Sequence, residues 1–261
     1  MAGLSMTDYA KLSNAELLDR VDLAGRTLPP ELLRVLLARR IDLRTLILER
    51  FAEAINDAWG DADDPRWYRA VHYGFLLIAY RERKALPIFA AIYSDADSYE
   101  SLLEWFEEAP ANFGPPAVPI FQAVIEGSPG VGWGFGAALS ISILTGIAMR
   151  FPETKLAVVT FLRSLLPALD ADGRVVLGDE DELDELWGSI VDALAELHDR
   201  ESMSCVLAMF DAELIDSIET DRESYLDALE GRCAIEKVQP FDIFAIYADV
   251  ARRDQAQARK Q

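Results

Sequence analysis

The stretch LDELWGSIVDALAEL, residues 183–197, places apolar side chains at Leu183, Leu186, Trp187, Ile190, Val191, Leu194 and Leu197, in steps of three and four. Side chains at that spacing share one face of a helix with 3.6 residues per turn. Asp181, Asp184, Glu185, Asp192 and Glu196 fill the other side. The stretch therefore reads as an amphipathic helix with one face in a core and one in water. Leu156, Val159, Leu162, Leu165, Leu166 and Leu169 repeat the pattern upstream, and Met203, Val206, Leu207, Phe210 and Leu214 repeat it downstream. No period-two alternation lies between paired turn signals, so strands are at most incidental and the chain is expected to be all-α.

Helix punctuation begins at the N-terminal end. Ser13-Asn14-Ala15-Glu16 is a capping box, whose serine and glutamate side chains each satisfy a free amide of the first turn. Gly25 suits the end of that helix, and Pro29-Pro30 suits the start of the next. Leu43, Ile47, Phe51 and Ile55 mark a longer helix over about 42–59, and Trp67, Val71, Phe75 and Ile78 form the seam of another opened by Asp64-Pro65. Grouped as 64–94, 98–126, 130–169 and 180–216, each segment holds two helical stretches. That is the size of a two-helix repeat which must stack to bury its apolar faces. The expected architecture is an α-solenoid-like array of antiparallel helix pairs, with a compact orthogonal helical bundle as the alternative. Residues 1–60 would pack on a central array over 61–216, followed by C-terminal helices over 217–250 and a disordered polar tail over 251–261.

From Ala109 to Met149 the only charged residue is Glu126. Gly127 to Met149 is long enough to cross a bilayer. Its glycines, Ser128, Pro129, Ser140, Ser142 and Thr145 dilute the apolar character, and the flanks lack a cationic bias. The expectation is a central helix over about 133–149, enclosed by its neighbours, with glycines that allow close approach.

The chain carries 45 Asp and Glu against 25 Lys and Arg, a formal net charge of −20. That balance argues against nucleic acid or an anionic membrane as partner and permits a basic protein. Cys205 and Cys233 are too few for a disulfide framework and lack metal spacing. The opening residues MAGLSMTDYAKLS show no basic start followed by an apolar run, so a cytoplasmic location is expected.

Few residues suggest chemistry. Of the two histidines, His72 lies one turn from Tyr68 and Leu76, on the edge of an apolar seam, and reads as a hydrogen-bonded core histidine. His198 ends an acidic helix, where an imidazole suits the negative terminus. The acidic runs Asp57, Asp61, Asp63, Asp64 and Asp170 to Asp181 miss the calcium-loop pattern; counted from Asp170, the glycine is fourth and the twelfth residue is Asp181. Gly130, Gly132, Gly134 and Gly136 do not form a phosphate-binding fingerprint. No catalytic, cofactor-binding or metal-ligating residue is assigned, and no cofactor is expected. On the 98–108 helix Trp105 and Phe106 stand among Glu104, Glu107 and Glu108, and the simplest reading is that the next helix covers both.

The run His72-Tyr73-Gly74-Phe75-Leu76-Leu77-Ile78-Ala79-Tyr80-Arg81-Glu82, then Ala85-Leu86-Pro87-Ile88-Phe89, resembles the bacterial domain of unknown function 1186 family. The proline-containing helix at 115–126, the small-residue helix at 133–149 and the Trp187 helix share in that resemblance. It implies a HEAT-like helical array and no activity. The cysteine-rich tail of some relatives is absent from 251–261. The function expected is a non-enzymatic protein-interaction scaffold with an acidic surface. The alternative is a small-molecule binder or enzyme with a site in a helical cleft around 64–150, where Arg66, Arg69, His72 and Tyr73 would meet polar groups of the glycine-rich helix. Those four, with Trp105 and Phe106, are the candidate cleft or interaction residues.

Overall fold

The computed structural model describes residues 4–56, 64–127, 134–177, 184–216, 220–232 and 240–258. Several residues singled out above lie outside them: Asp57, Asp61, Asp63, Ser128, Pro129, Gly130, Gly132, Asp181, Leu183 and Cys233. Among the described residues the regular structure is almost wholly helical, as expected. The chain divides into two compact units, each made of segments distant in sequence.

Unit 1 comprises Met1–Ile88, Glu104–Asn112 and Pro240–Gln261. It contains α1 (Met6–Lys11), α2 (Asn14–Asp22), α3 (Pro30–Ala38), α4 (Arg40–Asn56), α5 (Arg69–Tyr80) and α14 (Ile243–Ala258). Ser13 and Glu16 form the expected capping box of α2, and Ser5 with Asp8 forms a second one on α1. Pro30 opens α3, where its missing amide costs nothing. Arg39, between α3 and α4, donates to the carbonyls of Ala10 and Leu12, which lie near the end of α1. At the centre is α5. Ten of its twelve residues are buried, and α2, α3, α4 and α14 all pack on it. Gly74 admits this crowding, since a Cβ there would stand 2.4 Å from the Phe106 ring and 3.2 Å from that of Phe51.

Unit 2 comprises Phe89–Leu103 and Phe113–Gln239. It holds α8 (Val118–Glu126), α9 (Phe135–Arg150), α10 (Lys155–Ser164), α11 (Asp184–Glu196), α12 (Met203–Asp211) and α13 (Arg222–Leu229). Two further helices, α6 (Leu86–Ser94) and α7 (Ala96–Phe106), lie mostly in it; α6 starts in unit 1, and α7, broken at Tyr99, ends there. The expected central helix is α9, which packs on α8, α10 and α11. Ser140 and Thr145, buried on α9, donate to the carbonyls of Gly136 and Ile141 one turn back, so their hydroxyls cost nothing in the core. Among the described residues no helix is long and apolar enough to cross a membrane.

Three expectations change. The helix expected to run through Leu169 stops at Ser164, because Pro167 cannot continue it; a short hairpin pairs β1 (Ala168–Leu169) with β2 (Val175–Val176). The tail expected to be disordered from 251 is helical through Ala258, as part of α14. The boundaries expected at 60/61 and 216/217 do not separate compact units: α4 and α5 pack together in unit 1, and α11 and α13 in unit 2. Apolar periodicity locates helices but does not pair segments far apart in sequence.

Gly136 has no room for a side chain. A Cβ on it would lie 2.0 Å from the Tyr93 carbonyl oxygen, a backbone atom that cannot rotate away. Gly136→Ala is expected to cost at least about 2 kcal/mol in urea unfolding, more than Gly74→Ala, whose obstruction is a side chain.

Candidate functional site

The candidate residues gather around α5 in unit 1, but most of them form core rather than an open cleft. His72 has no exposed surface. One ring nitrogen, Nε2, lies 2.7 Å from the carbonyl oxygen of Gly25, and the other, Nδ1, lies 2.6 Å from the Tyr247 hydroxyl. A carbonyl only accepts, so Nε2 carries the proton, and Nδ1 accepts from Tyr247. The imidazole is neutral and both nitrogens are spent. Burial pushes its pKa down to about 4, although the bond to Gly25 opposes the shift. Gly25 reaches this position through a left-handed φ of 69°, which turns its carbonyl inward after α2.

Tyr73 is buried beside it and donates to Asp22 Oδ1 at 2.7 Å. Asp22 also accepts from Arg50 at 3.1 Å, which links α2, α4 and α5. Burial first, then Asp22, pushes the Tyr73 phenol upward. Phe106 is buried edge-on to Phe51 and Phe75. Trp105, half-buried, meets Tyr68 edge-on at 5.8 Å and lies under the Arg26 guanidinium, also at 5.8 Å. Arg66 is exposed and turns back to Asp64, and Arg69 is half-buried. Within unit 1 the polar partners of His72 are Gly25 and Tyr247.

Sequence reasoning did not identify Tyr247, which follows His72 by 175 residues and carries no motif. It also missed a polar cluster in unit 2. Arg163 on α10 grips the buried Asp199 carboxylate with two nitrogens, its Nε at 2.7 Å from Oδ2, and Glu201 with a third. Burial tends to raise the pKa of Asp199, but hydrogen bonds from Arg163 and Ser202 hold it below the usual carboxylate value. The cluster ties α10 to the turn between α11 and α12, where His198 ends α11 with a left-handed φ of 52°. Cys205 donates to the Pro167 carbonyl at 3.3 Å, and burial pushes its thiol pKa up, which leaves it protonated and a poor nucleophile. Asp170 Oδ1 accepts from the amides of Asp172 and Arg174 and so organises the hairpin turn. Among the described residues no group of three or more His, Cys, Asp or Glu is placed to hold a metal ion. Comparisons of the chain with protein-family models, curated proteins and solved structures give no match.

What this arrangement does chemically is hold helices together. Because the folded protein lowers the His72 pKa, the unfolded chain binds the proton more readily. The contribution to stability is fully present above pH 6.5 and is lost as pH falls towards 4, by about 3 kcal/mol. Urea unfolding at a series of pH values should show this decline superimposed on carboxylate titration. In His72→Gln, whose amide can donate and accept but does not titrate, the decline should be shallower by that amount.

Proposed function

We propose that the protein is a non-enzymatic interaction scaffold whose acidic unit 2 binds a basic protein partner. The observation that carries this reading is the division of charge. Of the 45 Asp and Glu, 26 fall in unit 2, together with only 8 of the 25 Lys and Arg; unit 1 holds 19 and 17. A net charge of −18 on one unit beside −2 on the other is more than overall solubility requires. A concentrated negative field speeds encounter with a basic surface and repels nucleic acid. The spent nitrogens of His72 and the protonated Cys205 thiol support a binding role over catalysis.

On this reading the helix pairs stack as a HEAT-like array of the kind implied by the resemblance to the domain of unknown function 1186 family. The protein would act in the cytoplasm. Each of the segments 64–94, 98–126, 130–169 and 180–216 contains two helices, and in 130–169 the two, α9 and α10, pack on each other, which supports the pairing there.

The test is affinity capture at about 50 mM and about 500 mM NaCl, conditions that span weak to strong screening. Basic proteins should be retained at the lower salt, released at the higher, and depleted when exposed acids of unit 2 are reversed in Glu213→Lys/Glu223→Lys. Partners that are acidic, or whose retention ignores both salt and charge reversal, would contradict the proposal.

A further inference from the structure

One helix of unit 1 carries a second row of uncharged side chains beside its buried face, with Ile41 its fully exposed apolar member. α4 buries Leu43, Ile47, Phe51, Ala54 and Ile55. A second row, Ile41, Thr45, Leu48 and Ala52, runs along its outer side in steps of four, three and four. Ile41 is 81% exposed, Thr45 and Ala52 are exposed, and Leu48 is half-buried. This is the a and d spacing by which one helix lies along another. Single exposed apolar residues are ordinary on a protein surface, but a row at heptad spacing is not.

The charges beside the row indicate what covers it. Arg44 and Glu49 flank it on opposite sides, five residues apart. Arg40 and Arg44 stand four apart, as do Glu49 and Glu53, and like charges at that spacing destabilise a helix on its own. Among the described residues neither Arg44 nor Glu49 forms an ion pair. In heptad terms Arg44 takes position g and Glu49 the following e. Two helices side by side in the same direction bring each g residue against the e residue of the other, five positions on. In the opposite direction, g would meet g and the arginines would face each other.

We infer that this outer face of α4 is a docking surface for a second copy of the chain, joined in parallel through Ile41, Thr45, Leu48 and Ala52. Arg44 of each copy pairs with Glu49 of the other. The arrangement is isologous and closed, so it yields a dimer and not a filament. It is independent of the acidic face of unit 2.

Sedimentation equilibrium on the full chain, from micromolar to near-millimolar concentration, should show a monomer–dimer equilibrium. Ile41→Asp, at an exposed position, should weaken it by about tenfold or more without altering the unfolding curve at concentrations where both proteins are monomeric. Arg44→Glu and Glu49→Arg should each weaken it, and the double variant Arg44→Glu/Glu49→Arg should restore it to within about twofold of wild type. Ala52→Cys should form a disulfide-linked dimer on oxidation, because a parallel seam sets residue 52 against its own copy. A monomer at every concentration, a dimer indifferent to Ile41→Asp, or a double variant that fails to recover would each overturn the inference.

Discussion

Unit 1 depends on satisfying every polar group on a helix that is buried nearly all round. α5 brings His72, Tyr73 and Tyr80 into the core along with its aliphatic residues. A buried donor or acceptor without a partner costs about 1–3 kcal/mol, so each of the three must find one. They find them on neighbouring helices and on the turn after α2: His72 on Gly25 and Tyr247, Tyr73 on Asp22, and Tyr80 on the carbonyl of Leu36 in the last turn of α3. Satisfying α5 thereby fixes where α2, α3 and α14 sit. The aromatic stack of Phe75 with Phe106 and Tyr247 fills the space between.

In unit 2 the buried hydroxyls of the central helix meet the same demand by a different route. Its central helix α9 carries small residues in place of large polar ones. Gly136 lets a backbone carbonyl approach, and the buried hydroxyls of Ser140 and Thr145 are returned to their own helix. The longer-range polar contact falls at the edge of that core, where Arg163 holds Asp199. One unit is locked through side chains that cross between helices and the other through close backbone packing. Among the described residues Asp199 is the one buried acid, so the uneven distribution of acids is largely a property of the surface.

Much of the fold was legible in the sequence because helix caps and apolar periodicity are local signals. Ser13 and Glu16, the Pro30 start and the seam of Leu43, Ile47, Phe51 and Ile55 all stand where the spacing puts them. The stop at Ser164 was obscured because Leu165, Leu166 and Leu169, between α10 and the end of β1, continue a helical spacing by coincidence. The candidate residues were legible in kind but not in role. His72 was readable as a core histidine, yet nothing near it in sequence announces Tyr247. Trp105 and Phe106 are adjacent, and only the packing of Phe106 between Phe51 and Phe75 decides which of the two turns inward.

The polar residues on α5 form a structural lock, and the state of one imidazole reports on it. In ¹⁵N NMR of the folded protein, with the resonances assigned by their loss in His72→Gln, His72 should stay a neutral Nε2–H tautomer from pH 8 down to about 5. If instead it titrates near 6.5 as a solvent-exposed histidine does, its nitrogens are not held by Gly25 and Tyr247, and the account of the core fails.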